Sequence, residues 1–462
     1  MKDKQKLSLF DITMIVIGLV IGMGIFRTAK DAAAASSSPA IYFGVWILGG
    51  LIAICGALTY AEIGSRYPVT GGYYKIFAVC YHPSLAFGIN CIILISNAAS
   101  LSGVALIGSE YIAPLIFKAP TSFNEAMLSI GAIVIFYGVN LMGLRMSANT
   151  QNVLMIIKLC LILVLIAALL FPQLYNTNTH ENVVANAASA NSILLFGIAL
   201  KAVSFTYGGY QQTINFGEEV HNPQKNTPRG IVMGIITIII LYLCVNYSYY
   251  KIIGFEALKS TKGIAAIVAG KMFGAAGGYT LSVLLFLAVL AYVNVLLLSN
   301  PRVMYAMSMD GILPKAFKKK DEKRDVLTVS LSVFAAICVI VLFFADRFDQ
   351  ILSFTIFLDS IGMATSAGAI FILRKRTKHL DGTGIYKMKL YPLLPAVFIL
   401  AYIFVGAVIA ITNPQYAVTG ISVLTVFIML YFIFCKKTHG GNNHVSGQAK
   451  DDLDYKQKNG RH

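Results

Sequence analysis

The chain has 462 residues, 57% of them hydrophobic and 13% charged, with a mean hydropathy of +0.72. A soluble domain carries about 25% charged residues, so the composition excludes a soluble globular protein and describes a polytopic membrane protein. The formal net charge of +16 comes with no nucleic-acid motif, and in a membrane protein its distribution says more than its size.

Residues 1–10 form a short basic arm. The first apolar stretch, 11–36, has Lys2, Lys4 and Lys6 before it and alanines near its end, as a secretory signal would. Many equally apolar stretches follow, so it reads as a first span. It contains Ile17–Phe26, IGLVIGMGIF, with glycines at 18, 22 and 24. Glycine costs a helix about 1 kcal/mol against alanine. One explanation is a helix-packing face of small residues. The other is a helix broken at membrane depth, where freed backbone groups meet a polar ligand.

The second span, 40–65, runs into TYAEIGSRYPVTGGYYKIF, where Glu62 and Arg66 mark the inner surface. Its Pro and Gly residues predict a re-entrant or interfacial turn. The third, 83–112, carries Asn90, Asn97 and Ser100, which either face a cavity or bond another helix. After 125–143 comes 149–171 with Lys158, too deep to snorkel and so in need of partners. The sixth span, 190–219, is interrupted at Gly208-Gly209 between Tyr207 and Tyr210. Six more follow at 230–250, 278–307, 326–345, 349–373, 391–412 and 415–435, giving twelve transmembrane helices. The loop Lys251–Gly277 contains GIAAIVAGKMF, which reads as a short surface helix. The tail 436–462 is polar and expected to be disordered.

With the N-terminus inside, 26 Lys/Arg fall on inner segments and 7 on outer ones, Lys30 being counted at the outer end of the first span. That asymmetry predicts cytoplasmic termini. Arg27, Lys158, Lys201 and Arg302 remain within spans, as does the acid Asp359. Intramembrane charges are functional candidates; Arg302 reads as an inner-surface anchor. The glycine breaks of spans 1 and 6 lie five spans apart. Five is odd, so repeats 11–171 and 190–373 would be inverted, with the site at the midplane and 391–435 accessory. The seven cysteines are scattered without CxxC spacing and read as packing residues. No HExxH, GxSxG or P-loop pattern occurs, so neither an enzyme nor a metal or other cofactor is expected.

IGLVIGMGIF (17–26), AEIGSRYPVTGGYY (61–74), FTYGGYQQTINFGEEVHNPQKNTPRGI (205–231) and SNPRVMYAMSMDGILP (299–314) together resemble the amino acid–polyamine–organocation superfamily. The sixth-span motif is most similar to its L-amino-acid transporter branch. The resemblance covers roughly residues 8–435. It implies the five-plus-five leucine-transporter fold, discontinuous helices 1 and 6, and sodium-independent transport of amino acids by alternating access in the cell membrane.

The resemblance also implies a site. The N–H groups of Met23, Gly24 and Ile25 would face the substrate carboxylate at a half-helix N-terminus. Carbonyls of Val20, Ile21, Ser204 and Tyr207, freed at the breaks, the second at Gly208, would hold the ammonium. Phe205 matches an aromatic gate. Tyr210 and Gln211 stand where close relatives have Trp and Asn, and Met23 where many have Ser. Lys158 matches a lysine at the place where sodium-coupled relatives bind an ion, with Asn294 or Ser299 as further partners. It reads as a sodium surrogate, or else as a structural clamp. Asp359 is expected to pair with Arg27, or with Lys201, as an outer gate, the alternative being a static ion pair. The loop Ile112–Asn124 lacks the cysteine that joins heteromeric relatives to a heavy chain, so no disulfide-linked partner is expected.

The expectation is therefore a bacterial-type permease or exchanger of L-amino acids in the lipid bilayer. Neutral substrates are expected, because no acid is forced into the side-chain pocket. A proton symporter and a non-transporting sensor or scaffold are the alternatives. Intact glycine breaks and no appended soluble domain favour the carrier.

Overall fold

A computed structural model describes residues 6–22, 24–176, 191–261, 264–344, 348–381 and 384–435. Met23, the start of the basic arm and the tail from Lys436 lie outside the described residues. Among the described residues the protein is all-helical, with isolated β-bridges in place of strands.

The chain enters its first helix through a capping box. Ser8 Oγ accepts from the Asp11 N–H (3.2 Å) and the Asp11 carboxylate accepts from the Ser8 N–H (2.9 Å), which satisfies two N-terminal backbone donors. The first helix, α1 (Leu9–Val20), stops at Ile21, and α2 (Gly24–Ala34) resumes after the break. Then come α3 (Pro39–Arg66), a short α4 (Gly72–Cys80), α5 (Pro83–Ile116), α6 (Ser122–Leu141) and α7 (Leu144–Ala167). Proline at the first turn, behind an accepting Ser38 or His82 side chain, starts α3 and α5.

The second half begins with α8 (Asn191–Tyr207), followed by a 3-10 turn at Tyr210–Asn215. Next are α9 (Pro223–Ile253), the small α10 (Phe255–Ser260) and α11 (Ile264–Met309). Gly274, at φ +68°, kinks α11 and separates a first piece, where the surface helix was expected, from a long apolar helix. The chain ends in α12 (Thr328–Phe344), α13 (Phe348–Arg376), α14 (Leu393–Thr412) and α15 (Pro414–Leu430). Among the described residues, ten helices are long and apolar enough to cross a membrane. Shorter apolar pieces, α1 and α12 among them, stand where further spans were expected.

The turn after α3 opens differently from a plain loop. Gly71 adopts φ +66°, where a Cβ would meet the Arg302 carbonyl oxygen at 2.5 Å, and α4 starts directly after it. The Pro–Gly–Gly run thus introduces a short helix that its sequence did not announce.

The same end of the molecule carries a buried ionic belt. Glu62 accepts from Arg66 (2.6 Å), from Arg374 through both carboxylate oxygens (2.7 Å each) and from the Met388 N–H (2.9 Å). Arg66 reaches on to Asp381 (2.8 Å). Its hydrogen bond, followed by that of Lys387, holds the Asp381 carboxyl below its usual range. Glu62 and the Arg66 side chain are wholly buried, so their charges depend on one another. Breaking such a pair leaves an uncompensated buried charge. Glu62→Ala is expected to lower the stability of the purified protein by about 3–5 kcal/mol, read as loss of melting temperature in detergent. An unchanged melting temperature would show that the belt adds nothing.

Candidate functional site

The two glycine breaks lie against each other. A Cβ on Gly24, the first residue of α2, would meet Thr206 of α8 at 3.0 Å; one on Gly209 would meet the Leu19 carbonyl oxygen of α1 at 2.2 Å. The first contact is tight, the second is open to glycine alone, and Gly209 also needs glycine for φ +115°. Thr28 and Thr206 join α2 to α8 hydroxyl to hydroxyl (2.5 Å); one donates to the other, and the acceptor's own hydrogen goes to a carbonyl one turn back. At the first break the Gly22 N–H turns back to the Val20 carbonyl (2.8 Å). At the second the Gly208 N–H donates to Phe205 (3.2 Å), one residue short of its α-helical partner.

A cavity with about 680 Å³ of empty space, counting the part open to solvent, lies along both breaks. Val20, Gly24, Ser204, Phe205, Gly208 and Gln211 line it, together with Asp359. Gln211 accepts the Gly209 N–H (2.9 Å) and so braces the second break. Asn97 and Ser100 are in the wall, as cavity-facing residues would be, whereas Asn90 donates to its own helix at Ala86. Ser100 and Tyr292 share a 2.8 Å hydrogen bond. Gln212 donates to Asn97 (3.0 Å), which donates to Asn300 (2.7 Å), tying the wall to α11.

Other expected site residues sit behind the wall. Ile21 and Ile25 are buried. Tyr207 packs its ring on Trp46 and Tyr242, and Tyr210 packs edge-on to Tyr60. Neither tyrosine lines the cavity. The Tyr210 hydroxyl points instead at Gly56, where a Cβ would clash with it at 2.0 Å. Its 3-10 turn rotates each residue by about 120°, against about 100° in an α-helix, and this swings Tyr210 onto α3.

Lys158 is fully buried and its Nζ donates to the Ile21 carbonyl oxygen at the first break. Asn294 and Ser299 are buried too, but their hydrogen bonds run elsewhere. Asn294 donates to Gln151 (2.9 Å) and Ser147 (3.2 Å) and accepts from Asn140 (2.9 Å); Ser299 accepts from Asn215 (3.2 Å). The Asp359 carboxylate accepts from Ser96 (3.1 Å). It has no ion pair among the described residues, which corrects the expected pairing with Lys201. Lys201 is half-buried on α8, away from the wall. The side chain of Arg27 lies outside the described residues. Arg302 of α11 holds Glu219 through both carboxylate oxygens (3.0 and 2.8 Å from Nε) and lies over Phe216. Above this pair the arm docks, Leu7 bridging to Val220 through the Glu219 carbonyl (2.7 Å).

One residue had no signal in the sequence. The Tyr242 hydroxyl, on α9, stands 3.3 Å from the carbonyl oxygens of both Val20 and Thr206, and so bridges the two breaks. One of four tyrosines in an apolar span, it looks like packing until both carbonyls are placed.

A family model for amino acid permeases matches residues 7–434. The chain belongs to the amino acid permease family. The permease is 27% identical over 425 residues to the serine/threonine exchanger SteT of Bacillus subtilis, covering 91% of this chain and 94% of that one. It is 26% identical over 439 residues to the human cystine/glutamate transporter, with 93% and 85% covered. Similarity extends to the methylthioribose transporter of Bacillus subtilis, 29% identical over 335 residues, with 68% and 69% covered. The permease is thus a multi-pass membrane protein whose relatives include amino acid transporters and exchangers.

Proposed function

We propose that the permease exchanges L-amino acids across the plasma membrane, without sodium, by alternating access. In this reading twelve spans form two inverted repeats, both termini are cytoplasmic, and α1–α2 and α8 with its 3-10 turn are the discontinuous helices. The observation that carries it is the meeting of two helix breaks on one cavity, with a lysine ammonium on a carbonyl of the first. The start of α2 offers N–H groups to a carboxylate, and the end of α8 offers carbonyls to an ammonium. Lys158 supplies a fixed positive charge at the first break. That is the role of a sodium ion, and it removes the need for one.

The ground for expecting neutral substrates was the absence of an acid at the pocket. Asp359 lines the cavity, so that ground is withdrawn. Counterflow in liposomes tests the proposal. Labelled amino acid is expected to accumulate only when the lumen holds amino acid, at the same rate in sodium and in choline buffer. A sodium requirement would overturn the role given to Lys158. No counterflow with any amino acid would favour a sensor on the same fold.

A further inference from the structure

Asp359, half-buried in the cavity wall, stands apart from the buried acids of the described chain, of which Asp11 accepts from Ser8 and has Arg145 at 3.7 Å. Glu62 and Glu219 are each clasped by arginine. Asp359 receives a hydrogen bond from Ser96 on Oδ1 and, among the described residues, no cation. A carboxylate away from water is costly unless a positive group meets it. Among the described residues, the titratable side chains that feel its charge include Tyr73, Tyr292 and Tyr402, all neutral. Tyr292 and Tyr402 share the cavity wall with it.

The wall offers a second acceptor. Gln212 is 5% exposed, and its amide nitrogen is committed to Asn97. Its Oε1 has no hydrogen-bond partner. A carboxylate and an unpaired amide oxygen are both complementary to N–H donors carrying positive charge. The rings of Phe205, Tyr292 and Tyr402 add faces that tolerate a cation.

We infer that the permease carries α-amino acids whose side chain ends in a cation, and that Asp359 receives that cation. This deepens the reading above and rests on it. The α-ammonium and α-carboxylate go to the helix breaks; the side-chain ammonium or guanidinium goes to Asp359, with Gln212 as a further acceptor. Asp359 is then a specificity residue rather than half of a protein ion pair.

The test uses substrates that share the α groups and differ in side-chain charge. Sodium-free counterflow is measured for labelled arginine against citrulline, and for lysine against norleucine. The wild type is expected to favour the cationic member of each pair by at least about tenfold. Asp359→Asn should bring the ratio near one, and Asp359→Glu should restore the preference. A wild-type ratio near or below one overturns the inference, whether or not Asp359→Asn folds. So does an unmoved ratio in Asp359→Asn, which would follow if Arg27 already neutralised the carboxylate. Equal loss of arginine and citrulline would overturn it as well, assigning Asp359 to the α-ammonium. Absence of counterflow for every amino acid removes the exchanger reading itself, and this inference with it.

Discussion

Lys158→Ala is expected to cut the initial rate of counterflow per folded molecule by about ten- to a hundredfold, the range that a lost charge-assisted hydrogen bond covers. The ammonium is wholly buried and donates to the Ile21 carbonyl oxygen, which the break of α1 has left without a helical donor. Removing it leaves that oxygen buried and unpaired, and a void where four methylenes packed. Lys158→Met separates the two effects. It refills the void without restoring the hydrogen bond, so it should recover melting temperature and not transport. If Met restored both, Lys158 would be a structural clamp. If neither variant lost rate, the ammonium would have no part in the cycle.

Gly209→Ala is expected to abolish transport while leaving the outlying helices folded. The backbone there has φ +115°, which an L side chain rarely adopts, and the added Cβ would lie 2.2 Å from the Leu19 carbonyl oxygen. The dihedral strain alone costs about 1–3 kcal/mol, and the contact with rigid backbone adds to it. The cheapest relief is to part the two breaks, which dismantles the bridge from Tyr242 to Val20 and Thr206. Loss of substrate binding with retained helical circular dichroism is the expected signature. Gly44 is the control: a Cβ there meets nothing within 4 Å, and its alanine variant should transport as the wild type does.

How much of this was legible in the sequence follows from which interactions are local. The apolar segments were readable because length and hydropathy are properties of consecutive residues. The breaks at Gly22–Gly24 and Gly208-Gly209 were readable because glycine in a membrane helix needs a reason. What those glycines touch was not. The reason Gly209 must be glycine is an oxygen of Leu19, 190 positions away. Tyr207 and Tyr210 flank the second break symmetrically in sequence, yet both turn away from the cavity: Tyr207, the last residue of α8, packs on Trp46 and Tyr242, and Tyr210 opens the 3-10 turn, which changes the angle between successive side chains. Asn294 and Ser299 lie on the right helix, and their hydrogen bonds go to α6, α7 and Asn215. Asp359 is legible in the sequence as an unusual deep charge, but its surroundings are not. The structure shows it in the cavity wall beside uncharged tyrosines. Helix α4 was hidden because nine residues between a Gly turn and a Pro carry too little periodicity to stand out.

The central claim is that backbone groups at two facing helix breaks read the α-amino and α-carboxyl groups of the substrate together. Competition against counterflow of a transported amino acid tests this most directly, using its methyl ester, which lacks the carboxylate, and its α-keto acid, which lacks the ammonium. The account predicts that neither competes at concentrations where the parent amino acid halves the flux. Inhibition by either analogue as strong as that by the parent would contradict it.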